Sequence, residues 1–555
     1  MRSMLCYSLV LVMWCHVHAQ AQQTDFPIKS VIEDSKILTT ELEFNATPSP
    51  DSASEQEQQR KDSRARQINW DDFKIVNKLT RLGAACRSET QRSFAVAEVD
   101  LRGAEGIEEC LQMMADFECL GTLTLEGCPI TDAEIRYLPR RLVVLELNAN
   151  STQITDAGLQ AICQLKTLRS LSLANTKITN AGLPSLARLT TLNSLVLDKT
   201  QIDDDELIHL SELDSLERLH LRQTAITGAG LDCLKTMTDL SELDLTDSQF
   251  SNVGLVYVDE LPRLASLSLH GTQVTDGGIN GMSVNTSLRR LTLGRTQITS
   301  AGLASLKKFS NLNILELDGL STVADDLSGL TEVPSLTNLS LQSMPISDEA
   351  LLVIVQLNQI QALSLNETKV AGPGLRHLAV LPHLRDLRLG KCPLQAGVGE
   401  PLCRLTSLER LDLRDTSIDD SDVAHLASLP NLQILDLTGT PITDAVVPSL
   451  AKTVRLQVVC LGETRLSVGA LQKLENELPF CRVVRTRVEA ESIPDEPWKN
   501  FLLQQSTGTN GDSTLTWATD ETWDSARPSG TVDSDQDHAA DALVPMNPQS
   551  LNDAR

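Results

Sequence analysis

The chain has 555 residues, a formal net charge of −26, and only 3% aromatic residues. The acidic balance argues against general nucleic-acid binding, which needs clustered Lys and Arg to displace phosphate counterions. Such a length implies several domains unless the chain is built from repeats, which let one domain keep growing.

Met1–Ala21 has the pattern of an export leader. Arg2 opens it, Leu5–Val17 is a mostly apolar run, and Val17-His18-Ala19 and Ala19-Gln20-Ala21 offer small-residue cleavage sites. The run is too short and interrupted for a comfortable membrane span, so a cleaved signal is expected, with an uncleaved one as the alternative, and Trp14 before Cys15 does not suit lipid attachment. A secreted, periplasmic or cell-envelope location is therefore expected. Residues 22–67 read as a disordered linker, with Pro48-Ser49-Pro50 and a polar run over Ser52–Arg66. Residues 68–95 read as an N-terminal cap. Within them Phe73, Val76, Leu79 and Leu82 predict a helix over Trp70–Ala85, with Gly83 as its C-cap.

Residues 96–488 are a solenoid of one repeated unit, shown most cleanly by Leu168–Leu189. Leu168-x-x-Leu171-x-Leu173 alternates as a short strand does; Ile178, Leu183, Leu186 and Leu189 then step mostly by three, as in a tight helical turn. Thr179 and Asn180 between the halves are natural N-caps. Marked by the first residue of its L-x-L pair, the unit recurs at Val99, Leu123, Leu145, Leu171, Leu195, Leu219 and on to Val483. The step from Leu171 to Leu195 is kept throughout, except that it is shorter by two before Leu145 and longer by two after it. Two extra residues are therefore expected in the loop Asn148–Thr152.

The pattern L-x-x-L-x-L-x-x-T-x-I-T-D-x-G-L, as in Ile154-Thr155-Asp156-Ala157-Gly158-Leu159, resembles leucine-rich repeat proteins of the T-D-x-G-L type. Similar patterns occur in extracytoplasmic bacterial proteins and in the repeats of F-box proteins. The resemblance implies an α/β leucine-rich repeat solenoid: a horseshoe with a parallel concave sheet of about 17 strands and a helical or 3-10 convex side. It says little about function, because one scaffold hosts many roles. An F-box adaptor role is not expected, since no F-box-like helical region precedes the repeats.

Asp318–Asp326, with Leu320 at the usual Thr place, and the Gly/Pro-rich Cys392–Gly399 depart from the template and read as loops. The array ends at Leu478-Pro479-Phe480-Cys481-Arg482-Val483-Val484, with Val483 in register as a closing strand. Residues 489–555 read as an acidic disordered tail that carries Trp498, Phe501, Trp517 and Trp523.

Twelve cysteines show no C-x-x-C spacing. Cys128 and Cys392 fall at the Thr place and read as buried thiols. Cys86 and Cys110 are a candidate bridge from cap to first repeat. Cys460 and Cys481 are offset by about three residues along neighbouring strands, beyond disulfide reach. There is no P-loop, H-E-x-x-H, G-x-S-x-G or dinucleotide turn, so no enzyme and no cofactor is expected. His220 and His270 lie two repeats apart, roughly 10 Å, too far to share a metal. The acidic groups Asp203–Glu206 and Asp419–Asp422 sit where convex turns begin and read as helix caps rather than calcium ligands.

Recognition is then left to the concave face, where the residues at −1, +1 and +3 from each marker point outward. About seventeen strands at ~4.8 Å make it on the order of 75 Å long. Early repeats present Ser170, Ser172, Ala174 and Ser194; later ones Arg218, His220 and Arg222, and then Asp386, Arg388, Arg410, Asp412 and Arg414. No Phe, Tyr or Trp occupies these places, which argues against sugars; a small-molecule ligand is not expected either. The candidate protein-binding patch is Arg388, Arg410, Asp412 and Arg414, with Arg218, His220 and Arg222. The alternative is that these charges form ladders that only solvate the face. Two functions stay open: a non-catalytic module binding a protein partner outside the cytoplasm, or a structural spacer of the envelope attached through its tails.

Overall fold

The computed structural model describes residues 70–88, 96–117, 119–321, 323 and 326–491. The leader, the linker and all of the tail beyond Glu491 lie outside the described residues. No helix among the described residues is long and apolar enough to cross a membrane.

One open sheet of 18 strands runs through the structure in chain order. Each repeat adds one parallel strand beside the last, marker against marker: Val99 with Leu123, Leu171 with Leu195, and finally Val459 with Val483. Between strands lie short α-helices or 3-10 turns, such as Asp156–Ile162 and Leu207–Glu212. The leucines at −3, 0 and +2 and the apolar residues of the turn meet between the two layers. Leu168, Leu171, Leu173, Ile178, Leu183, Leu186 and Leu189 are all fully buried. No single unit could bury these residues by itself. Each is covered by the repeats before and after it, and each buried Leu contributes about 2 kcal/mol.

Two expectations are corrected. The loop Asn148–Thr152 holds no extra residues. The register pairs Leu123 with Leu147 and Leu147 with Leu171, so Leu147 is the marker and both steps equal all the others. Leu145 next to Leu147 imitates an L-x-L pair, while the true partner at +2 is Ala149, fully buried in the leucine place. In the cap, the helix ends at Arg81 rather than Ala85. Gly83 turns the chain with φ +93°, and Ala85–Ser88 forms a strand antiparallel to Val96–Asp100, Cys86 opposite Val99. That strand covers the hydrogen-bonding edge which the first repeat would otherwise expose. Ala85-Cys86-Arg87-Ser88 has no alternation to announce it.

Three residue columns fix the turns. At +5, hydroxyls donate to the carbonyl three residues back: Thr176 to Leu173 and Thr200 to Leu197, both at 2.6 Å. Cys128 and Cys392 take this place as expected, and both are buried. Their thiols reach the preceding repeat's carbonyls, Leu101 at 3.2 Å and Leu365 at 3.0 Å. Burial pushes the Cys128 thiol up to about 11. The ten described cysteines are all free thiols, so Cys86 and Cys110 do not form the candidate bridge.

At +4, the backbone enters the left-handed region repeat after repeat, at Lys199 (φ 55°), Gln223 (φ 52°), Arg295 (φ 50°) and Glu367 (φ 59°) among others. The turn lets the chain leave the strand while its N–H still reaches the next repeat, as Lys199 does to the Arg222 carbonyl at 2.8 Å. A side chain there costs about 1 kcal/mol or more. Lys199→Gly should therefore raise stability by about 0.5 kcal/mol, after the greater freedom of unfolded glycine is subtracted. A urea midpoint that falls would contradict this origin of the strain.

The third column is the T-D-x-G motif. Thr155 caps its own helix, accepting from the Ala157 N–H. The preceding repeat's Asp132 carboxylate accepts from the Thr155 N–H (2.8 Å) and hydroxyl (2.6 Å). Asp156 does the same for Thr179, and Asp276 for Thr299. The glycine of the motif lies under that carboxylate: a Cβ on Gly158 or Gly302 would collide with Asp132 or Asp276. Asp and Gly are thus the two halves of one staple between repeats.

Candidate functional site

The sheet face opposite the helices carries the −1, +1 and +3 side chains. Strands are ~4.8 Å apart while packed helices need about 8–10 Å, so this side is the narrower, concave one. Two groups of charges stand on it.

In the first, Arg218–His220 lies beside Glu242–Asp244, with Arg218 opposite Glu242 and His220 opposite Asp244. His220 Nε2 lies 3.2 Å from Glu242 Oε1, and Arg222 Nε 3.8 Å from Asp244. Burial works against a charged His220 imidazole, yet Glu242, with help from Asp244 and Asp198, lifts its pKa above the ordinary value. The Glu242 carboxyl is held low by His220 in spite of its own burial.

In the second, Asp386–Arg388 lies beside Arg410–Asp412, so that Asp386 faces Arg410 and Arg388 faces Asp412. This is a checkerboard, the favourable arrangement for cross-strand charges. Arg388 also binds Asp386 of its own strand in a fork, Nε to Oδ1 at 3.2 Å and Nη2 to Oδ2 at 3.1 Å. Arg414 grips Asp412 through Nε (2.9 Å) and Nη2 (2.7 Å), and its N–H donates to the same carboxylate at 3.0 Å. Asp386 and Asp412 are each 3% exposed and Arg388 is 9% exposed. Arg410 and Arg414 are half-buried.

The candidate residues therefore form two separate groups. The strands of Arg218 and Arg410 are eight steps apart, about 40 Å along the sheet. Arg388 belongs to the buried part of its network, while Arg410 and Arg414 keep surface to present. Between the groups, Arg290 and Glu316 pair at 2.6 Å.

A row of amide and carboxylate acceptors at +3 escaped the sequence reading. Asp198 accepts from the Arg222 N–H at 2.8 Å, Asp318 from the Gln342 N–H at 2.9 Å, and Asn366 from the Gly390 N–H at 2.7 Å. Burial pushes the Asp198 and Asp318 carboxyls up to about 6. The recurrence of Asn and Asp at +3 is the signal that could have revealed this row. Also unforeseen is Arg487, which reaches back 72 residues to Asp415 with bonds of 2.7 and 2.9 Å, and holds Glu463 as well. It clamps three repeats at the rim of the face. Asp415 is held below the usual carboxylate range, chiefly by Arg487 and against its own burial.

The acidic groups have capping and stapling roles. Asp204 accepts from Thr227, Gly228 and Gly230, and these bonds outweigh burial in keeping its carboxyl low. Asp419 and Asp422 form a capping box. Among the described residues no group of three or more His, Cys, Asp or Glu could hold a metal ion.

Residues 102–358 match the family model described as a leucine-rich repeat region. None of the curated proteins matches the chain. Among solved structures, an internalin (inlF) from Listeria monocytogenes is 24% identical over 65% of this chain and 94% of its own, with a TM-score of 0.39. A leucine-rich repeat protein of Leptospira interrogans is 19% identical over 68% of this chain and 97% of its own, TM-score 0.44. The mouse RP105/MD-1 complex is 17% identical over 64% of this chain and 68% of its own, TM-score 0.44. The match over residues 102–358 and a sheet that gains one parallel strand with every repeat agree on one fold, a leucine-rich repeat solenoid.

Proposed function

We propose that the chain is a non-catalytic binding module that presents its concave face to a protein partner outside the cytoplasm. The observation that carries this reading is the Asp386/Arg388/Arg410/Asp412/Arg414 checkerboard, in which Arg414 is held by a two-bonded grip on the buried Asp412 and Arg410 stands in register beside the buried Asp386. An arginine held as Arg414 is loses little freedom on binding, and Arg is a preferred interface anchor. Extended concave surfaces are what solenoids use for recognition. The apolar leader supports a location beyond the cytoplasm.

The test uses the full chain and surface or envelope extract of its source. Binding should be saturable and should weaken at least about tenfold, some 1.4 kcal/mol, when Arg410 and Arg414 are both replaced by Glu while circular dichroism stays unchanged. Arg388 is left intact because reversing a buried charge would report on folding instead. Retention that survives these changes but depends on the segments outside residues 70–491 would support the envelope-spacer reading.

A further inference from the structure

The concave face changes character over its last three strands, Ile434–Asp436, Val458–Cys460 and Arg482–Val484. Elsewhere the −1 place holds a polar residue, or an aliphatic one that is covered: Ile314 is 1% exposed and Ala362 2%. Ile434 and Val458 depart from this, since both keep part of their surface. The strand Val458–Cys460 is apolar at −1, 0 and +1 alike, with Cys460 fully buried. A parallel strand with apolar residues on both faces is built to be covered on both. The convex layer covers one face; on the other, Ile434 and Val458 are only half-buried.

Arginines bracket this pair. The register sets Arg410 against Ile434, Ile434 against Val458, and Val458 against Arg482, so the four stand in one row across neighbouring strands. Three strand steps separate the arginines, about 14 Å. Arg410 is half-buried and Arg482 exposed. The nearby carboxylates have partners of their own. Asp386 and Asp412 are engaged by Arg388 and Arg414. Asp436, at +1, accepts from the Thr438 N–H at 2.9 Å and so leans away from Ile434.

The spacing selects an occupant. In an extended peptide alternate side chains point the same way, and residues i and i+4 lie about 13 Å apart. A segment crossing the strands with acidic residues at i and i+4 sets one carboxylate over Arg410 and the other over Arg482. Its residue i+2 then falls between Ile434 and Val458. Arginine suits carboxylates because it offers them two parallel bonds, and an aliphatic contact between such pairs keeps water out.

We infer that the row of Arg410, Ile434, Val458 and Arg482 receives an extended segment of the partner with the pattern acid-x-aliphatic-x-acid. This rests on the reading that the concave face binds a protein, and names the kind of sequence it takes.

Fluorescence anisotropy on the full chain tests it, with a labelled peptide whose core is Glu-Thr-Leu-Thr-Glu. Binding should be saturable and at least fivefold tighter than that of Thr-Glu-Leu-Glu-Thr, which has the same composition but carboxylates too close together to meet both arginines. Arg482→Glu should weaken it at least fivefold. Ile434→Thr with Val458→Thr, which keep the branched shape, should do the same while circular dichroism stays unchanged. Lys452→Glu, an exposed change beyond the convex helix Val447–Leu450, should alter nothing. The inference is overturned if the two peptides bind alike, or if Arg482→Glu leaves binding unchanged. It is equally overturned if the peptide binds only dilute, monomeric chain, because a second copy would then fill the row. If the peptide fails while replacing Arg410 and Arg414 by Glu still releases the partner taken from extract, this inference falls and the broader reading stands; if neither responds, both fall.

Discussion

Asp276→Ala should cut the solenoid into two unfolding units. The Asp276 carboxylate accepts from the Thr299 N–H at 2.8 Å and from its hydroxyl at 2.5 Å, and these bonds join neighbouring repeats near the middle of the array. Two hydrogen bonds to a charged group, one from a backbone amide left partly buried, together contribute on the order of 3 kcal/mol. In a solenoid that loss falls on one nearest-neighbour interface, with no wider core to share it. Urea unfolding followed by exchange or fluorescence should then show two transitions where the parent shows one. Gly302→Ala should do the same, because the added methyl occupies the space of the Asp276 carboxylate and crowds Ile298. The double substitution should cost little more than either alone, since both remove one staple. Additive losses would refute a shared origin. Asp276→Asn should be mild: one repeat earlier, Asn252 makes both bonds to Thr275, at 3.0 and 2.8 Å.

Asp318→Asn should raise stability at pH 7 and leave it nearly unchanged at pH 4. Burial pushes the Asp318 carboxyl up to about 6, above its ordinary 3.8. A carboxyl whose pKa is higher folded than unfolded holds its proton more tightly in the folded chain. The unfolded chain therefore binds fewer protons between about pH 4 and 6, and stability falls as pH rises through that window. At about 1.36 kcal/mol per unit the penalty at pH 7 is of order 3 kcal/mol. Asparagine keeps the acceptor for Ser340 and Gln342 without the charge, as Asn366 does in the same place two repeats on. The check is a set of urea midpoints from pH 4 to 8. If parent and variant fall in parallel, Asp318 is not the source. Asp198, also near 6, should leave a residual slope in the variant.

How far residues announced this structure depends on what they pack against. Leucines at −3, 0 and +2 declare themselves because their burial is repeated identically, so the repeat, the parallel sheet and the closing strand at Val483 were legible. Register failed where Ala149 stood in a leucine place beside the decoy Leu145. Ala85–Ser88 was hidden because its pairing depends on the exposed edge of another strand, which no local pattern encodes. On the concave face the residue types were legible and their states were not. Arg388 and Arg410 look alike in sequence, but only the folded contacts show that Arg388 is the one locked in a buried fork, with Asp386 of its own strand. Likewise the Asp of T-D-x-G reads locally as a helix-start acid; its partner is a Thr at the start of the next repeat's convex turn.

That Asp has a direction. Asp132, Asp156 and Asp276 each reach forward, from a repeat already made to the first residue of the next convex turn. During synthesis the acceptor is therefore in place before its donor leaves the ribosome. Each new repeat meets a preformed surface and a waiting carboxylate, while the hairpin of Ala85–Ser88 with Val96–Asp100 closes the edge that is made first. The staple thus gives the array a polarity: a repeat can be added onto a finished N-terminal neighbour with its acceptor already in place.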